Sequence, residues 1–164
     1  MKELLNKISS YNILNCLLPG TLFSVIISEI TDLNLIQSDL VIGVFTYYFI
    51  GLIISRIGSL IIEPILKKIK FVRFAAYKDF VKVAGEDNKL EILSEFNNMY
   101  RTFISMFLLV ILVRLYFIIE SKFIFLSQWK SSIIIILLLL IFLFSYKKQT
   151  KYITKRINSQ RDNL

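Results

Sequence analysis

The sequence predicts an all-α membrane protein with four transmembrane helices and a cytoplasmic helical hairpin between the second and the third. Apolar residues make up 55% of the 164 residues, and the mean hydropathy is +0.64. Such a composition excludes intrinsic disorder and most soluble classes. The apolar residues also fall into four long stretches, and the basic residues cluster on one side of them. These observations together indicate a chain that crosses a membrane several times.

Four apolar segments are long enough to be membrane-spanning helices. They comprise residues 11–30, 40–66, 102–119 and 129–146. Each comes near the roughly 20 residues that an α-helix needs to cross the hydrocarbon core of a bilayer. Pro19-Gly20 lies in the middle of the first segment, so we expect that helix to kink or break there.

A cleaved signal peptide is the alternative interpretation of the first segment. Such a peptide needs an uninterrupted apolar centre followed by a small-residue cleavage site. Pro19 interrupts the centre, and Ser28-Glu29-Ile30 is a poor cleavage sequence. We therefore expect the segment to be retained as a span.

The lysines and arginines predict the orientation of the chain, because cytoplasmic loops carry an excess of both. Sixteen of them lie before the first span, in the connection 67–101 or after residue 146, whereas only Lys122 and Lys130 lie on the opposite side. The loop between the first two spans contains Asp32 and Asp39 and no basic residue. We therefore predict a bacterial inner-membrane protein with both termini and the connection 67–101 in the cytoplasm.

The predicted organisation has four regions. They are the N-terminal segment with the first two spans (1–66), the cytoplasmic hairpin (67–101), the third and fourth spans (102–146) and a basic cytoplasmic tail (147–164). Gly85 is the clear helix breaker in the connection. We expect one continuous helix over residues 40–83, about 66 Å long at 1.5 Å per residue. A second helix is expected to begin at Asp87 or Asn88 and to run into the third span.

Missing residue types exclude most catalytic and metal-binding chemistry. Histidine, the commonest metal ligand and a frequent general base, is absent. Cys16 is the one cysteine, so the chain has neither an internal disulfide nor a cysteine cluster. We predict no catalytic residue, no metal and no cofactor, and we expect that the protein is not an enzyme. The net charge of +8 lies beside apolar spans, which favours contact with anionic lipid over specific binding of nucleic acid.

Charged residues at membrane depth are the first candidates for function, because an intramembrane charge is costly. They are Arg56, Arg114, Glu29 and Glu63. Arg56 either extends to inner-leaflet phosphates or lines a water-filled path in an oligomer, where a ring of arginines would favour anions. For Arg114 the alternatives are the same pore, the outer headgroups, or a pair with Glu29 or Glu120. Glu63 is expected to serve a neighbouring helix or a headgroup.

Small residues in the second span predict close helix contact. They are Gly51, Ser55, Gly58 and Ser59. The contact lies either within one chain or between subunits of a homo-oligomer, and the pattern favours neither. Basic residues beside the spans form the predicted surface for anionic lipid or a soluble partner. They are Lys67, Lys68, Lys70, Arg73, Lys147 and Lys148.

Three motifs carry a resemblance to a known group of proteins. They are GLIISRIGSLIIEP at 51–64, YKDF at 77–80 and EFNNMYRT at 95–102. Together they resemble the small four-span inner-membrane proteins of bacterial phage-defence operons, over roughly residues 10–120. The resemblance implies a homo-oligomer that perturbs the inner membrane when a cytosolic signal arrives. It assigns no functional residue.

Two functions therefore compete. The first is an oligomeric channel or membrane-perturbing effector that is controlled from the cytoplasm, in the setting of phage defence. The alternative is a non-conducting subunit that anchors, or senses for, a soluble cytosolic partner. A transporter is disfavoured, because four spans are few for the inverted repeats of secondary transporters and no internal repeat is visible.

Overall fold

The structure is a computed structural model that describes residues 12–84, 87–122 and 124–161. Its regular elements, within that part of the chain, are all helical. Four helices are long and apolar enough to cross a membrane: Ile13–Ile30, Leu40–Lys68, Lys89–Glu120 and Gln128–Ser159. The prediction of an all-α chain with four apolar spans is confirmed.

The first span accommodates its proline without breaking. It begins with a π-helical segment, Ile13–Leu17, and continues as α1, Leu18–Ile30. The N–H of Leu18 donates to the carbonyl of Ile13, five residues earlier. Pro19 thus falls in the first turn of α1, where a missing N–H is best tolerated. The irregularity expected at Pro19-Gly20 takes the form of a π segment before the proline.

The second span consists of three consecutive helical pieces. It starts as α2, Leu40–Ile57, passes through a π segment, Gly58–Ile62, and ends as α3, Glu63–Lys68. Asp39 caps α2, since its carboxylate accepts hydrogen bonds from the N–H groups of Val41 and Ile42 at 2.8 and 2.9 Å. Such a cap satisfies donors that the first turn of a helix leaves open.

The predicted continuous helix over residues 40–83 is wrong. The helix stops at Lys68, because Lys70 adopts a left-handed conformation with φ of 60°. Phe71 N–H donates to Leu66 O and Lys70 N–H donates to Lys67 O, each at 3.0 Å. This is a Schellman motif, which usually carries glycine at the left-handed position. A lysine there gives no sequence signal of a helix end.

The connection between the second and third spans contains less helix than predicted. Only α4, Tyr77–Ala84, forms within its first half. Asp87 then caps α5, Asn88–Glu120, by accepting from Lys89 N–H at 2.9 Å. The predicted start of this helix and its unbroken run into the third span are confirmed. The last helix, α6, extends from Ile124 to Arg161, so the fourth span and the described part of the basic tail are one helix.

The second span lies at the centre of the bundle and contacts each of the other three. The best buried side chains belong to the first three spans and include Ile27, Ile54 and Met106. Polar side chains share this core: Ser105 Oγ donates to Ile54 O at 3.0 Å, and Ser24 Oγ donates to Gly20 O at 2.8 Å. The fourth span, by contrast, has none of its most apolar window buried.

Candidate functional site

A cluster of charges joins three spans at the end of the bundle where the basic residues lie. Its centre is Glu63, the first residue of α3, whose side chain is only 8% exposed. Glu63 Oε1 accepts from Lys67 Nζ at 2.7 Å, one helical turn further along. Its Oε2 accepts from Arg101 Nη1 of α5 at 2.5 Å and lies 3.9 Å from Lys148 Nζ of α6. We call these four residues the Glu63 cluster.

Lys148 is held in the cluster by an irregularity of the second span. Its ammonium group donates to Ser59 O at 2.5 Å and to Ser59 Oγ at 2.7 Å. Within the π segment, Glu63 N–H already donates to Gly58 O. The next residue, Pro64, has no N–H to offer to the carbonyl of Ser59. Lys148 donates to the carbonyl of Ser59 the hydrogen bond that Pro64 cannot donate. This contact links α6 to the second span.

Arg56 lies beside the Glu63 cluster, within the same chain. It lines a small cavity of about 20 Å³ between the second and fourth spans, together with Ser59, Ser145 and Lys148. Its neighbours are therefore polar groups at the basic end of the bundle. Whether copies of Arg56 line a shared path in an oligomer stays a prediction.

The candidate residues Arg114 and Glu29 lie together at the opposite end. With Asp32 they line an open cavity of about 380 Å³. Among the residues that the structure describes, no ion pair joins Glu29 to Arg114. Glu120, the other predicted partner of Arg114, instead lies 3.5 Å from Lys130 Nζ. The ammonium of Lys130 also lies 4.5 Å from the ring centre of Phe117, a cation–π contact.

The small residues of the second span contact helices of the same chain. A Cβ at Gly51 would overlap the carbonyl of Cys16 in the first span. Gly58 faces Arg101 O of α5, which would lie 3.3 Å from an added Cβ. Ser55 Oγ accepts from Thr102 Oγ1 at 3.4 Å, and Ser59 holds Lys148 as described above. Of the two alternatives for this face, these contacts favour packing within one chain.

The predicted basic surface divides into two parts. Lys68 is exposed at the end of α3, and Lys70 and Arg73 are exposed in the segment that follows it. Lys147 and Lys148 lie at one end of an apolar groove between the second and fourth spans.

Arg101 and Lys151 are the main residues that sequence reasoning left out of the candidate site. Arg101 lies at the start of the third span, at the same basic boundary as Glu63. Glu63 and Arg101 each lie at the basic end of a predicted span, and this shared depth could have indicated from the sequence that they form a pair. In the described parts of the chain, no three His, Cys, Asp or Glu side chains group closely enough to hold a metal ion.

No family model, curated protein or solved structure matches this chain. The functional interpretation therefore depends on the geometry of the chain itself.

Proposed function

We propose that the protein is an oligomeric inner-membrane effector that alters membrane permeability when a cytosolic signal reaches its basic end. The observation that carries the proposal is the Glu63 cluster, in which one carboxylate fastens Lys67, Arg101 and Lys148 of three different helical elements. An event that changes this charge balance acts on three spans at once. In line with the resemblance of its motifs, we propose phage defence as the setting.

We propose in addition that the basic end of the bundle faces the cytoplasm. The cluster and the exposed residues Lys68, Lys70 and Arg73 lie on the side that carries most of the basic residues. The excess of lysine and arginine in cytoplasmic loops supports a cytoplasmic location for this side. An anionic partner arriving there would compete with Glu63 for its cations.

The fourth span is the element that we expect to move. Lys148 donates hydrogen bonds to the second span, the ring of Phe142 stacks on that of Phe49 with 6.2 Å between their centres, and none of the span's most apolar window is buried. In lipid, helix association depends on packing and on polar contacts between helices, because lipid tails are as apolar as the helices themselves. Loss of the Lys148 contacts would therefore leave apolar packing, such as that of Phe142 on Phe49, to hold the fourth span against the second.

We expect the permeable path to form between several copies of the chain and not within a single copy. The polar groups at the two ends of the bundle lie in separate cavities, so a path lined by arginines needs several copies. The uncovered apolar side chains of the fourth span, such as Ile135 and Leu143, supply a surface for such an assembly.

Proteoliposomes loaded with a chloride-sensitive dye test this function. We expect the wild-type protein to leak slowly and Glu63→Gln to leak several-fold faster, because the variant removes the carboxylate that holds the cluster. Glu91→Gln is the matched control: it removes one carboxylate from an exposed site at the start of α5. Background leakage from vesicles that contain folded Glu63→Gln would contradict the effector function.

A second candidate function is a non-conducting anchor or sensor for a cytosolic partner. The position of Arg56 favours it, because this arginine has polar neighbours within its own chain and needs no pore to explain it. This function predicts that one defined cytosolic protein co-purifies with the wild type and is lost when Lys68, Lys70 and Arg73 are changed to Gln. Neither function assigns catalytic chemistry to the chain.

A further inference from the structure

An apolar groove runs along the membrane-facing side between the second and fourth spans. It has a volume of about 610 Å³, within the range of roughly 300–1,000 Å³ that small-molecule sites occupy. Leu60 and Ile61 form one wall, and Leu140 and Phe144 form the other. The groove follows α6 from Leu137 to Lys151, or about 20 Å at 1.5 Å per residue. One leaflet of a bilayer core is about 15 Å thick, so the groove is long enough to hold a single lipid tail.

At its basic end the groove borders on a recess rich in lysines. This recess has a volume of about 270 Å³ and shares Lys148 and Lys151 with the groove. Lys67, Lys155, Tyr152 and Glu63 complete its polar lining. The apolar slot and the cationic recess are therefore adjacent, which is the arrangement that an amphiphile with an anionic head requires.

The charges of the recess are not balanced by the protein. Glu63 is the one acidic residue among the described residues that line it, against four lysines. Its two oxygens already bind Lys67 and Arg101. Within the described part of the chain, no ion pair engages Lys151 or Lys155. The recess thus presents an excess of positive charge beside an apolar slot.

We propose that the groove and recess together form a binding site for one anionic glycerophospholipid. An acyl chain lies between Leu60 and Phe144, and the phosphate contacts Lys148, Lys151 and Lys155. Anionic headgroups attract basic residues next to a span, and pockets of this kind between spans bind them. The site lies at the basic boundary, so the lipid comes from the leaflet on that side.

A second copy of the chain is the competing occupant of the groove, and the charges disfavour it. Copies inserted in the same orientation bring their basic ends to the same side of the membrane. A second copy in the groove would therefore approach Lys147, Lys148 and Lys151 with lysines of its own. Like charges in contact are destabilising, whereas a phosphate complements them.

Native mass spectrometry of the full-length protein tests the proposal, with defined lipids added to delipidated samples. We expect one tightly held phosphatidylglycerol per chain and weaker binding of phosphatidylcholine. The double variant Lys151→Gln/Lys155→Gln should bind phosphatidylglycerol about 25-fold more weakly, because each lysine near an anionic lipid contributes roughly a fivefold factor. The control Arg156→Gln/Arg161→Gln removes the same charge from the same helix outside the recess and should bind as the wild type does.

A second pair of variants tests the groove. Leu140→Trp fills the slot and should abolish the specific adduct, whereas Leu139→Trp, at an exposed position of α6 outside the groove, should retain it. Glycerol 3-phosphate carries the head without tails and should not displace the lipid at equal concentration.

Three outcomes would overturn the proposal. The first is equal binding of the two lipids, and the second is displacement by glycerol 3-phosphate. The third is a dimer without lipid that Leu140→Trp dissociates, which would assign the groove to a second copy. The readout is lipid binding, so the proposal stands or falls independently of whether the protein conducts.

Discussion

At the residue scale, Glu63 and Pro64 together account for the shortest side-chain hydrogen bonds among the residues that the structure describes. Glu63 supplies the carboxylate of the Glu63 cluster, and Pro64 leaves the carbonyl of Ser59 without its helical donor. Both effects draw Lys148 to the second span. A proline inside a span is tolerated where neighbouring groups satisfy the freed carbonyl, and here the neighbouring group is the ammonium of a different helix.

Glu63→Gln should destabilise the bundle. It leaves the partly buried guanidinium of Arg101 and the ammonium of Lys148 without a carboxylate, and we expect the free energy of unfolding to fall by about 2 kcal/mol. That is less than for a fully buried pair, because Lys67 is substantially exposed. Cys16 is only 4% exposed, so its reaction with a thiol-reactive dye during heating reports the opening of the bundle.

The matched control is Glu120→Gln, which removes the partner of Lys130 at the opposite end. The ion pair there is longer, at 3.5 Å, and we expect a loss of at most about 1 kcal/mol. Equal losses for the two substitutions would show that the Glu63 cluster stabilises the bundle no more than the ion pair of Glu120 and Lys130 does.

At the scale of the helices, glycines set the distance between the first two spans. Gly20 and Gly51 face each other's helices, and a Cβ on either would overlap a backbone carbonyl. Small residues let membrane helices approach this closely, and the close approach supplies packing that lipid does not. The sequence pattern indicated the small face, and the structure shows that its member Gly51 packs on the first span, whereas Gly58 packs on α5.

Gly51→Ala should separate the first two spans. The added methyl group meets the main-chain carbonyl of Cys16, which cannot rotate away as a side chain would. Overpacking typically costs 1–3 kcal/mol, and we expect a loss of about 3 kcal/mol, measured by the same Cys16 assay. Gly43→Ala is the control, because its nearest neighbour would be the ring of Tyr47 at 3.4 Å. We expect Gly43→Ala to be neutral or slightly stabilising, and a similar loss in both variants would refute the close contact at Gly51.

At the scale of the whole molecule, the orientation in the membrane decides which leaflet and which compartment the Glu63 cluster faces. The excess of basic residues predicts that the cluster faces the cytoplasm. Both the effector function and a role as an anchor depend on this orientation, since each receives its signal at the basic end.

Cysteine labelling in whole cells tests the orientation. In a Cys16→Ser background, Asn34→Cys should react with a membrane-impermeant maleimide added outside. Asn34 is exposed in the loop between the first two spans. Thr154→Cys, exposed on the last turns of α6, should react only after the membrane is permeabilised. The reverse pattern would place the basic end outside and remove the cytosolic signal from both proposed functions.

The four apolar spans, the clustering of the basic residues beside them and a helix start at Asp87 or Asn88 could all be predicted from the sequence, and the structure has Asp87 as the cap. Each depends on residues close together in the chain: about twenty apolar residues are enough to define a span, and a cap needs one side chain beside its own helix. The end of the second span's helix was not predicted, because Lys70 adopts the left-handed conformation there. A glycine at this position would have indicated a helix end in the sequence.

The way in which the charges combine depends on contacts between distant parts of the chain. Glu63 and Arg101 are 38 positions apart, and Ser59 and Lys148 are 89 apart. Glu63 binds Arg101 of α5 and lies near Lys148 of α6, and Pro64 frees the carbonyl of Ser59 that Lys148 binds. The groove with its lysine-rich recess also exists only where the second and fourth spans meet. Its lysines are separate features of the sequence, which the packing of two helices brings to one apolar slot.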